Sequence, residues 1–492
     1  MIKGDIYISL TTIKRVRKMG EEKKLGFIAL AALVVGSMIG GGVFNLAGDI
    51  ALAANAGAAL IGWIITGFGI LTLALVFQNL SMRKPELDSG IYSYAKEGFG
   101  TFLGFNSAWG YWVQAFLGNV AYATLVMSSI GYFFPVFEGG QNVAAIIGAS
   151  VILWVVHFLV LRGVHSAAFI NTITTIAKII PIFLFIIIAI IAFNWDQFTF
   201  DFWGSGGFSW GSVFEQVRGT MLVTVWVFIG VEGAVIMSGR AKKRSDIGKA
   251  TVLGLLAVLI IYVLVSLLSM GIMPREELAE LPNPAMAYVL ESIVGKWGAI
   301  LINLGLIISV LGSWLSWTLF AAELPYVTAK DKVFPKWLAK ENENGAPSNS
   351  LWLTNGLIQL FLLTFLFTDK AYNFFLSLAT SAVLIPYMLS AFYQVKLTFT
   401  GETYENDPNL TRDKVIGIIA SIYSIWLIYA AGLKYLLLTM LLYAPGIIFY
   451  RWTIKDNQLD VQDTKLDKFL MVVIIVLAIV ALIGLITGNI TL

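Results

Sequence analysis

Apolar runs of about twenty residues recur along the whole chain and constrain its fold more than any other feature. A bilayer core about 30 Å thick needs about 20 such residues for each helix that crosses it. The runs in this sequence of 492 residues predict about thirteen spans, at 26–50, 59–80, 100–135, 143–162, 166–193, 213–240, 248–273, 297–327, 351–368, 371–397, 413–430, 433–452 and 468–488. We therefore predict an all-α polytopic membrane protein whose apolar surface faces the lipid bilayer.

Composition excludes several classes of function. Hydrophobic residues make up 58% of the chain and charged residues 13%, and one soluble core could not bury that much apolar surface. Cys is absent, and the two His, His157 and His165, form no pattern of metal ligands, so we predict no metal site. No nucleotide-binding glycine loop occurs, and we predict no cofactor. The net charge of +3 is too small to indicate a nucleic-acid partner.

The distribution of Lys and Arg predicts how the chain is oriented. Basic residues are frequent in residues 1–25, which have no cleavage site and are predicted to form a cytoplasmic N-terminal tail. The loops predicted on the opposite side carry only Arg275, Lys296, Lys370 and Lys434. The basic loops at 240–244 and 330–340 serve either as topology determinants or as contacts for phosphate or lipid.

Two spans contain features that break a helix. The first includes GSMIGGGVF at 36–44, and the sixth includes WVFIGVEG at 226–233. Each glycine of the triplet costs a helix about 1 kcal/mol relative to alanine. Unwound backbone is tolerated at this depth only where it lines a cavity or is covered by protein. The alternative is that the glycines allow close packing of continuous helices.

The two interrupted spans lie five spans apart, so they enter the membrane from opposite sides. This arrangement is typical of an inverted repeat with a binding site at its broken helices. We predict a five-plus-five repeat with breaks in helices 1 and 6. The first repeat covers 26–195, the second covers 213–397, and additional C-terminal helices occupy 398–492.

Two charged residues inside spans are candidates for function, since an unpaired charge is costly in the membrane. Glu232 follows the predicted break in span six and is either a proton-linked gate or a structural partner for a backbone amide or hydroxyl. Lys178 is the cation inside span five. Its ammonium either takes the place of a coupling sodium ion or extends to the interface.

Polar and aromatic side chains in three spans could receive a substrate. Span three supplies Tyr111, Gln114, Asn119 and Tyr122, three of which fall on roughly one helical face, although Gln114 could equally join two helices. Trp226 and Trp317 offer π-faces to a cation, worth up to about 2 kcal/mol when desolvated. Single tryptophans are otherwise packing or interface residues.

Taken together, five motifs resemble a known family. They are GSMIGGGVF at 36–44, KPELD at 84–88 with YSYA at 92–95, WVFIGVE at 226–232, RSD at 244–246 and GSWLSW at 312–317. The combination resembles the basic amino acid/polyamine antiporters of the amino acid-polyamine-organocation (APC) superfamily, and most closely the bacterial arginine/ornithine antiporters. The resemblance runs from about residue 22 to beyond residue 330 and is weaker afterwards.

The resemblance implies a role for each candidate. The substrate carboxylate would sit on the amides of broken helix one, at Ser37, Met38, Gly40, Gly41 and Gly42. The α-amino group would meet carbonyls between Trp226 and Ile229, including that of Phe228. The side chain would reach Asn119 and pack against Trp226 and Trp317, with Tyr111 nearby. Glu232 matches a glutamate linked to proton-dependent gating, and Lys178 matches a lysine that replaces sodium.

The implied function is exchange of arginine for ornithine by alternating access. The alternatives are lysine/cadaverine, histidine/histamine or agmatine/putrescine exchange, a channel, and a sensor that does not transport; isolated polar residues argue against an enzyme. The resemblance also implies a multi-pass protein of the bacterial inner membrane and allows a homodimer. Two features depart from the family: Gly41 stands where agmatine-exchanging members have a serine, and residues 46–49 (LAGD) lack a proline common among relatives.

Overall fold

A computed structural model of the protein describes residues 27–87, 90–163, 167–232, 244–368 and 370–491. The predicted tail at 1–25, His165 and most of the basic loop at 240–244 lie outside these ranges. The α-helices are α1 (Phe27–Met38), α2 (Leu46–Ala53), α3 (Ala56–Arg83), α4 (Ile91–Phe99), α5 (Thr101–Phe133), α6 (Val143–Leu161), α7 (Ala167–Ala192), α8 (Trp195–Thr199), α9 (Trp210–Trp226), α10 (Arg244–Met270), α11 (Arg275–Glu280), α12 (Ala285–Val294), α13 (Lys296–Lys330), α14 (Ser348–Leu363), α15 (Ala371–Thr400), α16 (Leu410–Asn457) and α17 (Lys465–Ile486).

The described residues form helices and no strand, which confirms the predicted all-α class. Among them, nine helices are long and apolar enough to cross a membrane: α3, α5, α6, α10, α13, α14 with its 3-10 extension, α15, α16 and α17. Helix α16 has 48 residues, but Gly432 inside it has a φ of +75°. The interruption falls between the two spans predicted at 413–430 and 433–452. The total of thirteen spans stays a prediction.

The first predicted span is broken at its glycines. Helix α1 ends at Met38, a 3-10 turn covers Gly42–Phe44, and α2 begins at Leu46. A Cβ atom built on Gly41 would lie 2.8 Å from both Leu125 Cδ2 and Val310 Cγ2. Glycine therefore lowers the cost of unwinding and also lets neighbouring helices approach the unwound backbone.

The sixth predicted span is broken as well. Helix α9 ends at Trp226, and residues 227–232 form turns. Gly230 has a φ of +107°, a conformation that residues with a Cβ atom rarely adopt. The continuation of this span at 233–243 lies outside the described residues.

Helix α5 forms the centre of the protein and is buried along most of its length. It packs against α13 and α15, which also have long buried faces. The aliphatic side chains on the outer faces of α6, α16 and α17 are exposed, as expected for lipid contact. The broken segments at Gly41 and Gly230 meet within this bundle. The division into repeats at 26–195 and 213–397 stays a prediction.

Candidate functional site

The two breaks contact each other directly. The Ser37 hydroxyl near the end of α1 donates to the Gly230 carbonyl at 3.0 Å, and also lies 2.9 Å from the Val34 carbonyl. A Cβ atom on Gly230 would lie 2.8 Å from the Ser37 carbonyl oxygen. Glycine at position 230 is thus required both by its own backbone conformation and by the approach of α1.

Tyr262 on α10 forms a second bridge between the breaks. Its hydroxyl lies 2.8 Å from the Met38 carbonyl and 2.9 Å from the Val227 carbonyl, and it donates its proton to this pair. The side chain is fully buried. Two carbonyls that the breaks remove from helical hydrogen bonding are therefore held by one phenol.

Lys178 on α7 binds the first break. Its ammonium donates to the carbonyls of Gly36 and Ile39, each at 2.7 Å. The side chain is 3% exposed, so the ammonium does not extend to the interface. Carbonyls at the C-terminal end of a helix carry partial negative charge, which favours a cation there.

Glu232 closes the second break. Its carboxylate accepts hydrogen bonds from the Tyr111 hydroxyl, the Tyr387 hydroxyl at 2.8 Å and the Gly230 amide at 3.2 Å. The residue is fully buried. This carboxylate links the unwound segment after α9 to α5 through Tyr111 and to α15 through Tyr387.

A small cavity lies between the two breaks. Its volume is about 20 Å³, which is room for about one water molecule. It is lined by Ser37, Met38, Gly40, Gly42, Val43, Gln114, Gly118, Tyr122, Trp226, Val227, Ile229, Tyr262 and Trp317. Most of the predicted substrate-binding residues, namely Ser37, Met38, Gly40, Gly42, Trp226, Ile229 and Trp317, thus surround one space.

The four other predicted substrate-binding residues do not line the cavity. A Cβ atom on Gly41 would lie 3.6 Å from Tyr122 Cε1, and the Phe228 ring packs on Tyr262 with ring centroids 5.3 Å apart. Tyr111 contacts Glu232 instead. Asn119 follows Gly118 on α5 and is fully buried, and neither its oxygen nor its nitrogen has a hydrogen-bond partner among the described residues.

Glycines make room for Trp226. A Cβ atom on Gly42 would lie 3.0 Å from Trp226 Nε1, and one on Gly118 would lie 3.2 Å from Trp226 Cη2. The Tyr122 ring meets the indole edge to face at 6.2 Å. The indole therefore fills the space between α5 and the first break, where it covers the cavity.

Some residues of the site were missed from sequence. Gln114 and Tyr122 were among the polar candidates of span three, but Gly118 was not, although the three recur every fourth residue on one face of α5, a spacing that could have identified them together. Tyr262 lies inside a long apolar span, where a buried hydroxyl signals a hydrogen-bond partner. Val43, Val227 and Tyr387 carry no comparable signal. Among the described residues, no group of three His, Cys, Asp or Glu side chains could hold a metal ion.

Comparisons with known proteins agree with this architecture. The chain is 55% identical over 477 residues to an arginine/ornithine antiporter of Pseudomonas aeruginosa, covering 96% of this chain and 99% of that protein. It is 46% identical to an arginine/ornithine antiporter of Latilactobacillus sakei, over 95% of this chain and 98% of the relative. It is 48% identical to an arginine/agmatine antiporter of Chlamydia pneumoniae, over 87% and 90% of the two chains.

The amino acid permease family matches residues 25–440. That match and these relatives confirm the prediction of a multi-pass transport protein rather than an enzyme. The chain belongs to the amino acid permease family.

Proposed function

We propose that this protein exchanges arginine for ornithine across the membrane by alternating access. Two relatives that are 46% and 55% identical over nearly the whole chain carry the name arginine/ornithine antiporter. The structural observation that carries the proposal is the pair of buried amide side chains on α5, Gln114 and Asn119. Both have oxygen atoms without a partner among the described residues.

Unpaired buried oxygens favour a ligand rich in hydrogen-bond donors. Leaving a buried acceptor unsatisfied costs about 1–3 kcal/mol. Gln114 lines the central cavity, and Asn119 lies next to Gly118, which also lines it. A guanidinium group has five N–H donors and an ammonium group three, so the side chain of arginine or ornithine would supply what these two oxygens lack.

The broken helices supply the groups that an amino acid backbone needs. The amides of Gly40, Gly41 and Gly42 lie just ahead of the 3-10 turn and α2, where partial positive charge suits the substrate carboxylate. The Gly40 amide donates to the Met38 carbonyl at 2.9 Å in this conformation, so it would exchange that partner for the substrate. Carbonyls between Trp226 and Ile229 suit the α-amino group. Because a serine hydroxyl is missing at position 41, we assign the carboxylate to backbone amides and the Ser37 hydroxyl.

Substrate binding requires the cavity to open. Sites for small ligands have volumes of about 300–1,000 Å³, and the central cavity of about 20 Å³ holds no amino acid in this conformation. Trp226 and Trp317 would therefore swing aside and then cover the cationic side chain with their π-faces.

Two charged residues would regulate this movement. The Lys178 ammonium fixes the carbonyls of Gly36 and Ile39 without a sodium ion. Glu232 would act as the gate, because its contacts with Tyr111 and Tyr387 must break when α5 and α15 separate from the second break.

Counterflow in proteoliposomes tests the proposal. We expect labelled arginine to accumulate in vesicles loaded with ornithine faster than in vesicles loaded with lysine, histidine or agmatine. Uptake into vesicles without internal amino acid would identify a channel, and binding without exchange would identify a sensor. The Asn119→Ala variant should raise the KM for arginine about tenfold, the equivalent of 1.4 kcal/mol. Asn303→Ala, which removes another buried amide, is the matched control.

Three further expectations belong to the same proposal. Few basic residues occur in the loops with Lys370 and Lys434, which supports a cytoplasmic N-terminus in a bacterial inner membrane. The contact between Ser37 and Gly230 supports two inverted repeats that meet at their broken helices. A homodimer is compatible with the family resemblance, and crosslinking in native membranes tests it.

A further inference from the structure

A second cavity lies beside α2, beyond the first break. Its volume is about 280 Å³, so it is much larger than the central cavity. It forms where α2 meets the segment at 139–141, the segment at 279–283 and the start of α15. Its polar lining includes Asn45, Asp49, Gln141, Glu280, Lys370 and Asn373.

Asp49 is the deepest charged group of this cavity. It is 2% exposed, and its Oδ1 atom accepts hydrogen bonds from Asn45 Nδ2 and Asn373 Nδ2, each at 2.7 Å. No described residue donates a hydrogen bond to Oδ2. The charge of Lys370 acts on Asp49 from the same lining, but Lys370 donates no hydrogen bond to it, so the unpaired oxygen has room for a cation that donates one.

The other charged groups suit an α-amino acid with a cationic side chain. Glu280 and Lys370 are exposed and line the same cavity. Two carboxylates attract a cation, while one ammonium offers a partner for a carboxylate. A diamine lacks the group that Lys370 would bind.

The second cavity follows the central site along the chain. Asp49 lies seven residues after Gly42, beyond the 3-10 turn and in the first turn of α2, which is on the order of 10 Å of helical rise. Lys370 belongs to the loops that we place on the side opposite the N-terminus. A substrate that approaches from that side would meet Asp49 before it meets the amides of the first break.

We propose that this cavity is a second, transient binding site, where Asp49 holds the cationic side chain of an amino acid and Lys370 holds its carboxylate before transfer to the central site. The proposal rests on the function proposed above. It also gives a role to the LAGD sequence at 46–49, which has none in the family pattern. The competing explanation is structural: Asp49 joins α2 to α15 through Asn373 and does nothing else.

Asp49→Asn separates the two explanations. The asparagine oxygen can still accept from Asn45 and Asn373, so the link between α2 and α15 remains while the charge is lost. For transport from the side of Lys370, we expect the KM for arginine to rise about tenfold while the maximal rate changes little. Glu276→Gln, which removes an exposed carboxylate outside the cavity, is the matched control and should leave the KM unchanged. An unchanged KM in Asp49→Asn overturns the proposal.

Lys370→Gln tests the assignment of the carboxylate. We expect a severalfold rise in the KM for arginine and no change for agmatine, which lacks a carboxylate. Equal effects on both substrates would remove Lys370 from the site.

A binding measurement shows whether arginine occupies the second cavity even if the protein does not exchange substrates. The chain has no cysteine, so Leu52→Cys, at an exposed position in the cavity lining, would introduce its single thiol. Arginine should slow modification of that thiol by a membrane-impermeant reagent. The slowing should persist when Trp317→Ala weakens the central site, and it should vanish when Asp49→Asn is added.

The opposite pattern would overturn the second site. In that pattern, arginine no longer slows thiol modification when Trp317→Ala is present but still slows it when Asp49→Asn is present. Binding at the central cavity alone would then alter access to position 52. Failure of wild-type counterflow would overturn the exchange function, whereas the thiol measurement would still report whether arginine binds at Asp49.

Discussion

The hydroxyl of Ser37 donates to the carbonyl of Gly230 across 3.0 Å, and this bond joins two chain breaks that lie 193 residues apart in sequence. Both residues are located where regular helical hydrogen bonding stops. Any opening between the two broken helices must therefore lengthen or replace this contact.

Ser37→Ala should weaken exchange, because it removes a hydrogen bond between the breaks and a hydroxyl near the carboxylate position. A typical hydrogen bond contributes about 0.5–1.5 kcal/mol, so the KM for arginine should rise about threefold to tenfold. Ser292→Ala removes a hydroxyl that bonds only within its own helix, to Val289, and is the control. Identical kinetics in the two variants would contradict a role for Ser37.

Tyr262→Phe should lower the thermal stability of the purified protein. The change leaves the Val227 carbonyl without its donor, at about 1–3 kcal/mol for an unsatisfied buried group, whereas the Met38 carbonyl keeps the Gly40 amide at 2.9 Å. Unfolding in detergent, followed by tryptophan fluorescence, measures the shift. Tyr429→Phe, at a position 54% exposed, should leave the melting temperature unchanged. A similar melting temperature for Tyr262→Phe would show that other donors replace the phenol.

Lys178→Met should nearly abolish exchange. The substitution keeps an apolar stem but removes two hydrogen bonds from a charged donor, each worth about 1.5–3 kcal/mol. Wild-type exchange should also be the same with and without sodium, since the ammonium already occupies the carbonyls of Gly36 and Ile39. Stimulation of the wild-type rate by sodium would refute the assignment. Lys296→Met, at an exposed position, controls for loss of a positive charge.

Gly41→Ser should reduce exchange, although the family resemblance implies a serine at this position in agmatine-exchanging members. The new Cβ atom would lie 2.8 Å from Leu125 Cδ2 and Val310 Cγ2, so the neighbouring side chains must move. Adding Val310→Ala removes one of the two obstacles and should restore part of the rate. Counterflow of the single and double variants tests this, and the absence of any recovery would rule out steric conflict with Val310.

Arg83→Gln should destabilise the protein equally at about pH 5 and about pH 8. Arg83 at the end of α3 binds Asp407 at 2.7 Å and Asp413 at 3.0 Å. Hydrogen bonds from the Asn409 amide and from Arg83 lower the pKa of Asp407 from 3.8 to about 2.

The sign of the pH dependence follows from that lowered pKa. A carboxyl group whose pKa is lower in the folded state stabilises the fold above its unfolded pKa of 3.8, and the contribution is lost as the pH falls towards 2. Melting temperatures of the wild type and of Arg83→Gln, measured from about pH 5 to about pH 8, check the expected constant destabilisation. A gap between the two melting temperatures that shrinks from about pH 8 to about pH 5 would contradict it.

Much of the fold was predictable from the sequence because the bilayer imposes a strong and local constraint. A span must be apolar over about 20 residues, and a cluster such as Gly40, Gly41 and Gly42 weakens a helix wherever it occurs. The same local logic identified Lys178 and Glu232, since charges inside apolar spans are rare.

The partners of these residues were not predictable, because contacts between distant segments leave no local pattern. Tyr387 binds Glu232 from 155 residues away, and Tyr262 holds Met38 from 224 residues away. Asn119 was assigned as a ligand by resemblance, but only the packing around it shows that its amide has no partner among the described residues.

The sequence by itself determined that this is a helical membrane protein and predicted two interrupted spans, because hydrophobic length and glycine content act within a single helix. Only the tertiary structure decided which carbonyls Lys178 and Tyr262 occupy, how small the central cavity is, and that Asp49 faces a second cavity. Those properties depend on how helices far apart in the chain pack together, and packing is a property of the whole bundle.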